Sequence, residues 1–125
     1  MSNILIVEDN ERNMKLVRDI LQHHSHATIE ATSGEAGVQL ALEYRPDLIL
    51  MDIQLPGIDG IETLRRIRAE PALDAVPVVV VTASVMPADQ RCILVSGFDA
   101  FLTKPISLRP FLATVERVLR EGRLR

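Results

Sequence analysis

The stretch Leu48-Ile49-Leu50-Met51-Asp52-Ile53-Gln54-Leu55-Pro56-Gly57 decides the fold. Four apolar residues run without a polar break and then meet a carboxylate. A run this short and continuous suits a strand buried on both faces, as inside a parallel sheet. Two further runs repeat the pattern, Ile4-Leu5-Ile6-Val7 and Val78-Val79-Val80-Val81. The first leads into Glu8-Asp9-Asn10 and the second into Thr82-Ala83-Ser84. Ala27 to Ala31 and Ala100 to Leu102 are weaker strand candidates, supported by their even spacing between helical segments.

Helical periodicity fills the intervals. Met14, Val17, Ile20 and Leu21 share one face, with Arg12, Lys15, Arg18 and Asp19 away from it. Ala36, Leu40 and Ala41 mark a second helix that stops before Pro46. Asp59-Gly60-Ile61-Glu62 reads as a capping box ahead of Ile61, Leu64 and Ile67. Pro87 suits the first turn of a fourth helix, through about Val95. Ser107 is placed to cap a fifth, whose apolar face is Phe111, Leu112, Val115, Val118 and Leu119.

Strand then helix, five times over, implies a parallel sheet with helices on both faces. With right-handed crossovers, the expectation is a flavodoxin-like (βα)5 fold with strand order 2-1-3-4-5. The 125 residues suit one domain over 1–125, with a core of about 3–121 and a short tail from Gly122. Hydrophobic residues at 47% and charged residues at 25% exclude a disordered or collagen-like chain. The net charge of −3 argues against a nucleic-acid partner. No apolar run is long enough to span a membrane, and one cysteine, Cys92, fits a reducing compartment. A cytoplasmic location follows as an expectation, since Met1-Ser2-Asn3 lacks the basic start of a secretory signal.

Ligands of such sheets bind beyond the carboxyl ends of the strands. There the pattern collects Glu8, Asp9, Asp52, Thr82 and, after the last strand, Lys104-Pro105. Clustered carboxylates repel, and a divalent cation relieves the repulsion. An all-oxygen donor set suits Mg²⁺, with Mn²⁺ as a substitute, and does not suit zinc. Asp9 and Asp52 are the expected direct ligands, with Glu8 partly through water and the Gln54 backbone carbonyl as a further donor. A carboxylate beside Mg²⁺ can also be a nucleophile that forms an aspartyl-phosphate. Phosphoryl transfer needs its equatorial oxygens neutralised, which Lys104 and the Thr82 hydroxyl would assist. Asp52, ending the central strand, is the expected nucleophile.

Glu8-Asp9, Asp52, Thr82 and Lys104-Pro105, in that order and each after an expected strand, resemble the receiver domain of two-component response regulators. The stretches Val7 to Asn10, Leu50 to Gly57 and Thr103 to Pro105 carry the likeness, which covers essentially the whole chain and is greatest to stand-alone, single-domain receivers. The resemblance implies that a histidine kinase or a histidine phosphotransfer protein donates a phosphoryl group to Asp52. It implies no enzyme activity beyond self-catalysed phosphorylation and dephosphorylation. It further implies that Thr82 and Phe101 act as switch residues, and that the Lys104–Pro105 bond is cis. Gln54 stands where the family tunes attacking water, and the small Ala83 leaves the phosphoryl site open. An aromatic in a terminal strand is also an ordinary core residue, so Phe101 carries both readings.

The output expected of such a chain is binding. The face of the fourth helix, last strand and last helix would engage a downstream protein target, and the first helix near Arg12, Asn13 and Met14 would meet the phosphodonor. The expected assembly is a monomer or weak dimer. A receiver belonging to a hybrid kinase or longer regulator would read the same way; a start at Met1 and a stop soon after the last helix favour a stand-alone protein. A phosphatase using an aspartyl-phosphate fits less well, because Gln54 occupies the position of its general acid. A flavin carrier fits poorly, because Glu8 and Asp9 would repel the flavin phosphate. His23, His24 and His26 lie where cations favour a helix end, with no pattern that completes a metal site. Arg117, Arg120, Arg123 and Arg125 read as a solvated face and tail.

Overall fold

A computed structural model describes residues 2–83 and 97–122. The strands are β1 (Asn3–Val7), β2 (Ala27–Ala31), β3 (Leu48–Met51), β4 (Val78–Thr82) and β5 (Ala100–Thr103). The helices are α1 (Glu11–His23), α2 (Gly34–Tyr44), α3 (Gly60–Arg68) and α4 (Leu108–Glu121), with a 3-10 turn at Pro71–Leu73. All strand pairs are parallel and the sheet order is β2-β1-β3-β4-β5. The expected helix over Pro87 to Val95, with Cys92, lies outside the described residues, as do Ser84, Arg123 and Arg125.

Every residue of β3 and β4 is buried, as continuous apolar runs predict for central strands. Their side chains alternate between two cores. One face packs Leu5, Val7, Ile49, Met51, Val78 and Val80 against α2 and α3. The other packs Ile4, Ile6, Leu48, Leu50, Val79 and Val81 against α1 and α4. On α1, Met14, Val17 and Leu21 are buried, whereas Ile20 is only partly so.

Side-chain caps start three helices. Asn10 accepts from the Asn13 N–H at 3.1 Å, Ser33 from Ala36 at 3.2 Å and Asp59 from Glu62 at 2.8 Å. The Glu62 carboxylate accepts from Arg65 and Arg66, so the capping box supplies its Asp half while Glu62 serves the next turn. Ser107 does stand at the N-cap of α4, but only its carbonyl serves, accepting from the Phe111 N–H at 3.0 Å. Gly34 lets α2 press on α3, for a Cβ there would stand 2.1 Å from Thr63 Oγ1.

Candidate functional site

Because the strands are parallel, the groups that follow them gather at one edge. Pairing along the sheet continues just past the strands: the Glu8 N–H donates to the Ala31 carbonyl at 3.0 Å, and the Asp52 N–H to that of Val7 at 3.1 Å. This fixes where each acid leaves the sheet. Glu8 and Asp52 are 6% and 7% exposed, whereas Asp9 lies open to solvent. One oxygen from each of the three carboxylates lies within 4.8 Å of the others.

Lys104 arrives from β5, its N–H donating to the Thr82 carbonyl at 2.8 Å. Its Nζ donates to Glu8 Oε1 at 2.7 Å and to Asp52 Oδ2 at 2.6 Å. The other oxygens are also held. Asp52 Oδ1 accepts from the Gln54 N–H at 3.1 Å, and Glu8 Oε2 from the Asn10 N–H at 3.2 Å. Burial pushes the Glu8 carboxyl above its usual range, and the nearby Asp52 charge adds to the rise; Lys104 and the Asn10 N–H partly offset it. Burial also works against the Lys104 charge, but its bonds to Asp52 and Glu8 outweigh that and raise its pKa.

One ammonium thus pairs with two of the three clustered carboxylates, and among the described residues the site keeps an excess of acidic groups. An all-oxygen set with surplus charge fits a hard divalent cation. Glu8, Asp9 and Asp52 are the residues that could hold it. Among the described residues no comparable group involves His23, His24 or His26. An open cleft of about 380 Å³ runs from Glu8 and Asp9 along α1 to Lys15 and Arg18.

The remaining expected residues fall as follows. Thr82 ends β4, is 1% exposed and is tied to Lys104 through its carbonyl. The Lys104–Pro105 bond is cis. Phe101 lies opposite Val80 in β5, partly buried against the α2–α3 core. The Gln54 side chain is exposed, and its N–H is the group that meets Asp52. Ala83 is exposed just past β4.

A second buried ion cluster escaped the sequence reading. Asp99, its side chain 1% exposed, pairs with Arg68 at 2.9 Å at the opposite edge of the sheet. Its only sequence signal is a charge set among Phe98, Ala100 and Phe101.

Acids, a lysine and a buried threonine at the carboxyl edge of a five-stranded parallel sheet define a class of α/β signalling domain, and comparison with known proteins narrows it. The model of the response regulator receiver domain matches residues 4–116. The polar-differentiation response regulator DivK of Brucella anthropi is 43% identical over 117 residues, spanning 94% of this chain and 95% of that protein. Among solved structures, the receiver domain of a sensor histidine kinase from Pseudomonas aeruginosa PAO1, described with a magnesium ion coordinated in its active-site cleft, superposes with a TM-score of 0.90 at 30% identity, covering 96% of this chain and 98% of that one. The signal receiver domain of a histidine kinase from Syntrophus aciditrophicus gives 0.89 at 32% identity, covering 96% and 91%. The chain belongs to the response regulator receiver domain family of two-component systems. Within it, the likeness to single-domain DivK regulators extends over nearly the full length of both proteins.

Proposed function

We propose that this protein accepts a phosphoryl group on Asp52 and passes the signal on by changing which protein it binds. The observation that carries this is Lys104, whose ammonium meets the buried Asp52 and Glu8 at once and leaves the acid cluster short of positive charge. The donor is a phosphohistidine of a histidine kinase or phosphotransfer protein. An Asp52 oxygen bonds to phosphorus while the P–N bond breaks. The electron pair leaves on the imidazole, which keeps or takes up a proton. Lys104 neutralises one phosphoryl oxygen, and Thr82 is the hydroxyl donor nearest the end of β4. Glu8, Asp9, Asp52 and the Gln54 carbonyl would hold Mg²⁺, which when bound would help neutralise the charge that develops in the transfer. Gln54 then governs the approach of water to the phosphorylated Asp52.

Phosphorylation draws Thr82 and Phe101 into a second arrangement, and the face that includes β5 and α4 reports it to a downstream target. The α1 face near Arg12, Asn13 and Met14 meets the donor. The same reading takes the protein to be cytoplasmic, where such donors present their phosphohistidine, and to be a monomer or weak dimer. Incubation with a small phosphodonor and Mg²⁺ should raise the intact mass by one phosphoryl group, and Asp52→Asn should show no gain. Equal labelling of the variant would move the acceptor elsewhere.

A further inference from the structure

The amino edge of the sheet carries an assembly that the phosphoryl chemistry does not touch. Arg68, the last residue of α3, donates from Nη1 to the Val76 carbonyl at 2.7 Å and to the Leu73 carbonyl at 3.3 Å. Its Nη2 donates to Asp99 Oδ2 at 2.9 Å. The same carboxylate oxygen accepts from the Val78 N–H at 2.8 Å, while the Asp99 N–H donates to the Val78 carbonyl at 2.8 Å. Asp99 therefore grips the first residue of β4 with both backbone and side chain. The planar fork of Arg68 fastens that grip to α3 and the 3-10 turn.

β5 has four residues, none of them fully buried, and among the described residues it pairs with β4 alone. Its apolar packing is only partial, Phe101 against one core and Ala100 and Leu102 against the other, so polar contacts at its ends can add to what fixes its register. The ladder runs Val79 to Ala100, Val80 to Phe101, Val81 to Leu102 and Thr82 to Thr103, and the next bond is Lys104 N–H to Thr82. A one-residue slip would invert every side chain of the strand. It would also carry Lys104 away from Glu8 and Asp52.

We propose that the Arg68–Asp99 bracket is a positioning device for Lys104, setting the register of β5 from the end of the sheet opposite to the acids. Its link to phosphoryl transfer rests on the function proposed above; its effect on the strand does not. The test is amide hydrogen exchange by NMR on the full chain without metal, comparing the wild type with Arg68→Lys and Asp99→Asn. Lysine keeps the charge but cannot fork to three acceptors. Asparagine keeps an acceptor for the Val78 N–H but loses the charge.

A device that sets β5 should speed exchange of the Lys104 N–H at least about tenfold in Arg68→Lys, while the Asp52 N–H, bonded to Val7, stays protected as before. Asp99→Asn should do the same to a smaller extent. A uniform rise across both amides would mean that the bracket merely stabilises the whole fold, and no rise at all would mean that it holds nothing; either result overturns the proposal. A parallel phosphodonor assay separates the two readings. If wild type labels and Arg68→Lys labels at the same rate despite faster exchange at Lys104, positioning is refuted and the acceptor function stands. If wild type does not label, the acceptor function fails, while the exchange data still decide the bracket.

Discussion

Among the described residues the two edges of the sheet each bury an ion cluster, and the clusters differ in how many acids share a cation. At the amino edge the Arg68 guanidinium meets the buried Asp99 carboxylate, and backbone groups share in the hydrogen bonding. At the carboxyl edge one ammonium is divided between two buried carboxylates, and a third stands beside them. A carboxylate already matched by a guanidinium has less to gain from added positive charge. An unbalanced cluster is held in a state that added positive charge would relax. Burial alone therefore does not set the two edges apart; surplus acidic charge does.

The largest expected effect tests the balanced edge. Arg68→Ala removes the cation facing a carboxylate that is 1% exposed, and breaking a buried pair in this way costs about 3 kcal/mol. Urea denaturation should give this loss with and without Mg²⁺. A loss below about 1 kcal/mol would show that the pair is not the clamp its geometry describes.

A smaller effect tests the unbalanced edge. Mg²⁺ at ten times its dissociation constant should stabilise the protein by about 1.4 kcal/mol through linkage. Asp9→Asn should lose most of that gain at the same concentration, and Arg68→Lys should keep it. An undiminished gain in Asp9→Asn would break the contrast between the edges.

The smallest concerns pH. The Glu8 carboxyl is raised above its ordinary 4.5, so just above that pH the folded chain binds more protons than the unfolded one. The stability due to this group therefore falls as pH rises through that interval, in metal-free protein. Glu62, held down to about 2 by Arg65 and Arg66, works the opposite way there, because its carboxyl still takes up protons in the unfolded chain. Measured upward from pH 4.5, the thermal midpoint of the wild type should decline relative to that of Glu8→Gln. Equal slopes in the two would show that Glu8 does not contribute.

The carboxyl edge was legible in the sequence because its signals are local. Each acid directly follows an apolar run, so finding the strands found the acids. Asp52 after Leu48 to Met51 is the clearest instance, and even the weak strand at Ala27 to Ala31 has the bounds its spacing suggested. The amino edge was not legible, because Arg68 and Asp99 are 31 residues apart and neither sits in a pattern of its own. Gly34 was passed over for the same reason: what it must avoid is Thr63, on another helix. Ser107 stands where the cap was expected, but sequence could not tell whether its hydroxyl or its carbonyl would serve.

The bond from Lys104 to Glu8 joins residues 96 positions apart. Contacts of such long range form only after the loops between them have closed. A chain still emerging from the ribosome, with β5 not yet made, holds its acids without their lysine. Closing the acid cluster is thus a late event in folding: until β5 is in place, Glu8 and Asp52 lack the ammonium that meets them both in the finished structure.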